Sequence, residues 1–175
     1  MAADDAPDEK PAGAQASFDL FAQLEHHFAW LSRAIADVPS EGARHVIAPR
    51  RPSIAWLTGH LIEGAGSVAE AVAAIDSPLP PGFGERRTRP HYGAADEAGW
   101  SGLRGTWEHV ARGTRDGLLA LEPAALQLPP AIPIRPEFAD RLKTRGAFLA
   151  GEVFHFAYHL GQIGSLRADL GLGWG

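Results

Sequence analysis

Residues 152–162 read Glu152-Val153-Phe154-His155-Phe156-Ala157-Tyr158-His159-Leu160-Gly161-Gln162, inside a longer patterned segment that runs from about Thr144 to Leu170. At 100° per residue, Phe148, Glu152, His155, His159, Gln162, Ile163, Leu166 and Leu170 fall within about 60° of one direction, which is the signature of an amphipathic helix. The two histidines stand four residues apart on its apolar face, stacked one turn above the other. Such a pair is spaced to grip one metal ion. The alternative is a pair of core imidazoles whose ring nitrogens are satisfied by neighbouring side chains. Gly171 follows as a natural end to the helix.

Three further segments carry the same period. From about Ser17 to Ala36, Phe21, Leu24, Phe28, Leu31 and Ile35 form a stripe at three- and four-residue steps. A second helix is expected from the N-capping Ser53, just after Pro52, to about Ile75. A third fits about Asp96 to Leu121, with Trp100, Leu103, Trp107, Val110, Thr114 and Leu118 on one face. The connections, 76–95 and 123–136, are too rich in proline for a central helix or strand. No segment alternates with period two, so the fold class is all-α: a four-helix bundle over residues 17–175 with long loops between helices. Those loops permit crossover connections, so simple up-and-down order does not follow. Residues 1–16 read as a disordered acidic tail, and Trp30, Trp56, Trp100 and Trp107 as mostly core, since all four fall within helices.

Composition narrows the function. The chain has 175 residues, a net charge of −5 and no cysteine. The acidic balance gives no field for nucleic acid. No apolar run approaches a membrane span, and the N-terminal segment has no apolar h-region, so a cytoplasmic protein is expected. Without cysteine there is no disulfide, thiolate ligand or cysteine nucleophile. A metal must be held by nitrogen or oxygen, and thiol chemistry needs a thiol from a small cosubstrate.

In the second helix, Trp56, Leu57, His60, Gly64, Ser67, Ala71 and Ile75 share a face, which turns His60 inward. The small residues beside it leave room for a helix or a ligand. Spacing alone does not bring this helix to the histidines at 155 and 159, and a lone inward histidine is commonly a satisfied core residue. If the three met, three neutral imidazoles would leave positions open on an ion for water or substrate.

Two motifs carry a family resemblance. Pro52-Ser-Ile-Ala-Trp56-Leu-Thr-Gly-His60-Leu-Ile-Glu63 resembles the second-helix motif of the DinB-like superfamily. His155-x-x-Tyr158-His159-x-Gly161-Gln162-Ile163-Gly-x-Leu166-Arg167-x-x-x-Gly171 resembles its C-terminal signature. The resemblance runs from roughly Ser17 to Gly171. It implies a four-helix bundle in which His60, His155 and His159 bind one divalent metal ion, with Zn, Ni and ferrous iron all compatible with such ligands. It also implies kinship with thiol-dependent transferases and mycothiol-dependent maleylpyruvate isomerases. Leu160 stands where that family frequently carries arginine.

The expected function is therefore a metal-dependent transferase or hydrolase that acts on a small electrophile, with a low-molecular-weight thiol as cosubstrate. The rival is a non-catalytic metal-binding bundle with a structural, sensing or dimerising role. Glu152 and Gln162 share the ligand face, as partners that orient imidazoles or, for Glu152, as a base near the metal; interhelical hydrogen bonding is the plainer alternative. Glu152-x-x-His155 has no second copy to make a dinuclear centre, and Phe156 occupies the position of the glutamate a zinc-protease motif requires. Glu63, at the edge of the His60 face, is expected to be exposed, as are His26, His45 and His109. Arg86, Arg87, Arg89 and His91 form a basic loop that could hold an anionic cosubstrate, or could simply be solvated. A second apolar row, Ile54, Leu61, Val68 and Val72, suits extra core packing or a homodimer contact. Trp56, one turn before His60, could wall the pocket.

Overall fold

The computed structural model describes residues 12–48 and 51–173, with side chains from Asp19 onward. Its helices are α1 (Ala12–Ala36), α2 (Ser40–Arg44), α3 (Ile54–Val68), α4 (Glu97–Leu119) and α5 (Arg145–Asp169), joined by short 3₁₀ turns. No strand occurs among the described residues. Helix α1 begins five residues before the expected start at Ser17, so residues 12–16 are helical rather than tail. The rest of the expected tail lies outside the described residues.

Three of the long helices begin where a side-chain oxygen can take up a free N–H of the first turn. Ser53 Oγ accepts from Trp56 N at 3.1 Å, Asp96 Oδ1 from Gly99 N at 2.8 Å and Thr144 Oγ1 from Ala147 N at 3.1 Å. Helix α5 ends on Gly171 at φ 72°, the left-handed conformation that suits a residue without Cβ. Helix α3 passes into a π-helical turn, Ala69–Ala73. There the Ala71 carbonyl accepts from Ala131 N and the Val72 carbonyl from Arg145 Nη1, which ties the turn to the last loop and to the start of α5.

Helix α1 packs beside α4 and α5, and α3 packs beside the same two. The long helices thus form a ring in the order α1, α4, α3, α5. The long helices α1 and α3, separated in the chain by the short α2, stand across the bundle from each other, and so do α4 and α5. The chain crosses the bundle twice, as its long loops permit, and α2 lies on the first crossing.

The expected stripes face the centre. Leu24, Phe28, Leu31 and Ile35 of α1 and all six expected positions of α4 are buried. Phe28 meets Trp107 edge-on at 5.0 Å and Phe156 at 5.2 Å. The indole N–H groups of Trp100 and Trp107 donate to the Val38 carbonyl and Ser32 Oγ, each at 2.8 Å. Ile54, Leu61, Val68 and Val72 are fully buried within the chain, so this row of α3 serves the core. Trp30 departs from expectation. It lies about 200° around α1 from Phe28, is exposed, and packs against His26. Residing in a helix does not settle which side a residue faces.

Candidate metal centre

Because α3 and α5 are neighbours, His60 meets the pair on α5. His60, His155 and His159 each offer one nitrogen, and these atoms all lie within 4.8 Å of one another. The ring centroids are 4.8 Å apart for His60–His155, 4.9 Å for His60–His159 and 4.7 Å for His155–His159. His155 Nε2 lies 2.9 Å from His60 Nε2. All three rings are only partly accessible.

The outward nitrogens of His155 and His159 are held by side chains three residues away. His155 Nδ1 lies 2.9 Å from Glu152 Oε2, and His159 Nδ1 lies 2.7 Å from Gln162 Oε1. A carboxylate only accepts, so His155 carries its proton on Nδ1 and leaves a lone pair on Nε2. The Gln162 amide is turned by Tyr158, whose hydroxyl accepts from Gln162 Nε2 at 3.3 Å. That leaves Gln162 Oε1 to accept from His159 Nδ1, so His159 Nε2 is also a lone pair. Burial, with smaller contributions from His155 and His60 and against the Gln162 bond, pushes the His159 pKa down to about 4. The ring is neutral, as a ligand must be.

The backbone opposite is shaped for this pair. A Cβ on Gly64 of α3 would stand 2.9 Å from Glu152 Oε2 and 3.5 Å from His155 Nδ1. Glycine at 64 is what lets the Glu152–His155 unit lie against α3. Trp56 packs on His60 with ring centroids 5.1 Å apart and so forms part of the wall.

Glu63 is a correction to the sequence reading. It is buried, not exposed, and pairs with Arg87 from the loop between α3 and α4, whose Nε donates to Glu63 Oε2 at 2.7 Å and whose Nη2 binds the same oxygen. Helical phase put Glu63 at the rim of the His60 face, and the loop folds over that rim. Tyr92 reaches the same corner. Its ring lies on Gly59, where any Cβ would collide with it, and burial together with the Glu63 carboxylate pushes the phenol pKa up. His91 and Tyr92 take left-handed backbone angles, φ 52° and 58°, which cost non-glycine residues of order 1 kcal/mol each. The buried Tyr92 ring and the bond from His91 Nδ1 to Ser53 Oγ at 2.9 Å hold them there. The spacing of Glu63 from His60, three residues as for Gln162 from His159, was the available signal.

The other candidates disperse. Arg86 lies over the Phe83 ring at 5.3 Å, and Arg89 is exposed. His26 and His109 are exposed, and His45 at the surface pairs with Asp169. Leu160 is buried in the hydrophobic cluster. Arg167, quoted in the C-terminal motif, is also buried. It donates to the Ala34 carbonyl at 2.7 Å and pairs with Asp37, joining α5 to the end of α1.

Fold and site together define an all-α bundle with a histidine triad between two adjacent helices. The family model of the DinB superfamily matches residues 23–163, and the chain belongs to that superfamily. A comparison with curated proteins gives no match. Among the described residues, no helix is long and apolar enough to cross a membrane.

Proposed function

We propose that His60, His155 and His159 hold one divalent metal ion, and that the protein is a metal-dependent enzyme joining a small thiol, or water, to a small electrophile. One observation carries the metal reading: three inward nitrogens converge while the outward nitrogens of His155 and His159 are tied to acceptors. The His155 and His60 Nε2 atoms face each other at 2.9 Å. With His155 Nε2 a lone pair, a contact that short needs a proton or a cation between the two nitrogens. The three inward nitrogens, all within 4.8 Å of one another, would hold such an ion. The donors are neutral, nitrogen-only and three in number, which fits Zn, Ni or ferrous iron with positions left for a reactant.

When bound, such an ion supplies Lewis acidity and makes a thiol or water a better nucleophile at neutral pH. The chain's own residues do the rest. Glu152 and Gln162 keep the His155 and His159 protons on the outer nitrogens and so hold the ring orientations. The bond from His155 to Glu152 supports an orienting role for that carboxylate over that of a base. Trp56 shields the His60 side from water. The chain contains no cysteine, so a thiol nucleophile must come from a cosubstrate, and the cytoplasm is the compartment where such thiols are kept reduced.

A second reading rests on the position of the triad. It bridges α3 and α5, so an ion there would also staple two helices, as a non-catalytic structural centre does. Metal analysis of untagged protein, beside His60→Ala and His159→Ala, tests the site: both variants should lose the metal, and full retention in both would sink it. A screen of low-molecular-weight thiols against electrophiles then separates the roles. Turnover that depends on the metal supports the enzyme; collapse of the fold on chelation with no turnover supports the staple.

A further inference from the structure

The third ligand, His60, differs from the other two. His155 and His159 each have an acceptor on the outer nitrogen, whereas His60 Nδ1 is buried with no hydrogen-bond partner. A buried polar atom without a partner is costly and uncommon. Glu63 Oε2 stands 4.0 Å from that nitrogen on the same helix, and it is the oxygen that Arg87 grips through Nε and Nη2. Glu63 is itself buried, and its side chain is 10% exposed. A carboxylate fixed at that distance attracts a proton on Nδ1 and repels a lone pair there. It therefore favours the ring form that presents Nε2, as a lone pair, to His155 and His159.

We propose that Glu63 is the positioning residue of His60, and that Arg87 holds it in place from the loop between α3 and α4. The inference rests on the metal-centre reading above and adds a residue to it. Each imidazole of the centre then has a partner three residues away on its own helix: Glu152 for His155, Gln162 for His159 and Glu63 for His60. The Glu63 arm alone is anchored outside α3 and α5, on a loop that also carries the strained His91–Tyr92 pair. Loop placement and ion affinity are therefore linked, and by reciprocity each favours the other. Arg87 is thereby occupied by Glu63 and serves the centre through it rather than as a free anion-binding group.

The test uses the full chain and cobalt(II) or zinc alone as probe. Affinity is measured by chelator competition, the cobalt(II) visible spectrum reports ligand geometry, and unfolding of the metal-free protein reports structure. Glu63→Ala should weaken binding about 10- to 100-fold and alter the cobalt spectrum, while Glu63→Gln, which keeps an acceptor oxygen, recovers most of both. Arg87→Ala should weaken binding by a smaller factor. If Glu63→Ala fails to fold, Arg87→Ala carries the test through affinity and the cobalt spectrum. Unchanged affinity and spectrum in all folded variants would overturn the assignment. Wild-type protein that binds neither ion would instead refute the metal centre itself, a result distinct from a Glu63 variant that binds as well as wild type.

Discussion

Gly64 of α3 faces Glu152 of α5 across the helix interface with room for a hydrogen and nothing larger, since a Cβ there would lie 2.9 Å from Glu152 Oε2. The contact joins packing to chemistry, because that same oxygen holds His155 Nδ1. Gly64→Ala gains about 1 kcal/mol of helix propensity, and its methyl meets the far end of the Glu152 side chain, which must swing away. Stability in denaturant unfolding is expected to change by no more than about 1 kcal/mol. Metal affinity should fall by about tenfold or more as Glu152 is pushed from His155. An affinity equal to wild type would show that Glu152 does not orient the ligand.

Gln162 has the same part at His159. Gln162→Leu removes the acceptor from Nδ1 and should lower metal affinity by about tenfold. Gln162→Glu keeps an acceptor oxygen and should retain most of it. Tyr158→Phe, which removes only the bond at 3.3 Å that turns the amide, should have the smallest effect of the three. Isothermal titration with zinc ranks them, and an inverted ranking would contradict the tautomer assigned to His159.

Asp37 and Arg167 predict a pH dependence. The hydrogen bond from Arg167, aided by its charge, holds the Asp37 carboxyl below the usual carboxylate range despite an opposing effect of burial. The folded pKa is thus lower than the unfolded one, so this contribution is fully present above about pH 3.9. It is lost as pH falls through the folded value. Asp37 is more than half exposed, so screening limits the contribution to about 1 kcal/mol or less. Asp37→Asn should be less stable than wild type at pH 7, and the gap should close as the solution is acidified below about pH 4. A gap that persists at pH 2 would assign it to packing rather than charge.

The helices could be read from the chain because their cause is local. A three- and four-residue apolar rhythm and the caps Ser53, Asp96 and Thr144 act within a turn or two of themselves. The six buried positions of α4 follow from that rhythm alone. Trp30 faces solvent because helical phase sets it about 200° from Phe28, a local property, whereas Glu63 is buried because a distant loop folds over it, which no local pattern carries.

The sequence by itself determined that His155 and His159 share the inward face of one helix and His60 that of another, since helical phase is a property of neighbouring residues. The absence of cysteine limited protein ligands to nitrogen and oxygen. Only the tertiary structure decided that α3 lies beside α5 rather than across the bundle, which turns two inward faces into one cluster. It also decided which outer nitrogens have partners and that Arg87 spends its charge on Glu63. These outcomes depend on how two crossings of the bundle and a strained loop close in space, where contacts between residues far apart in the chain select among arrangements that local periodicity leaves equal.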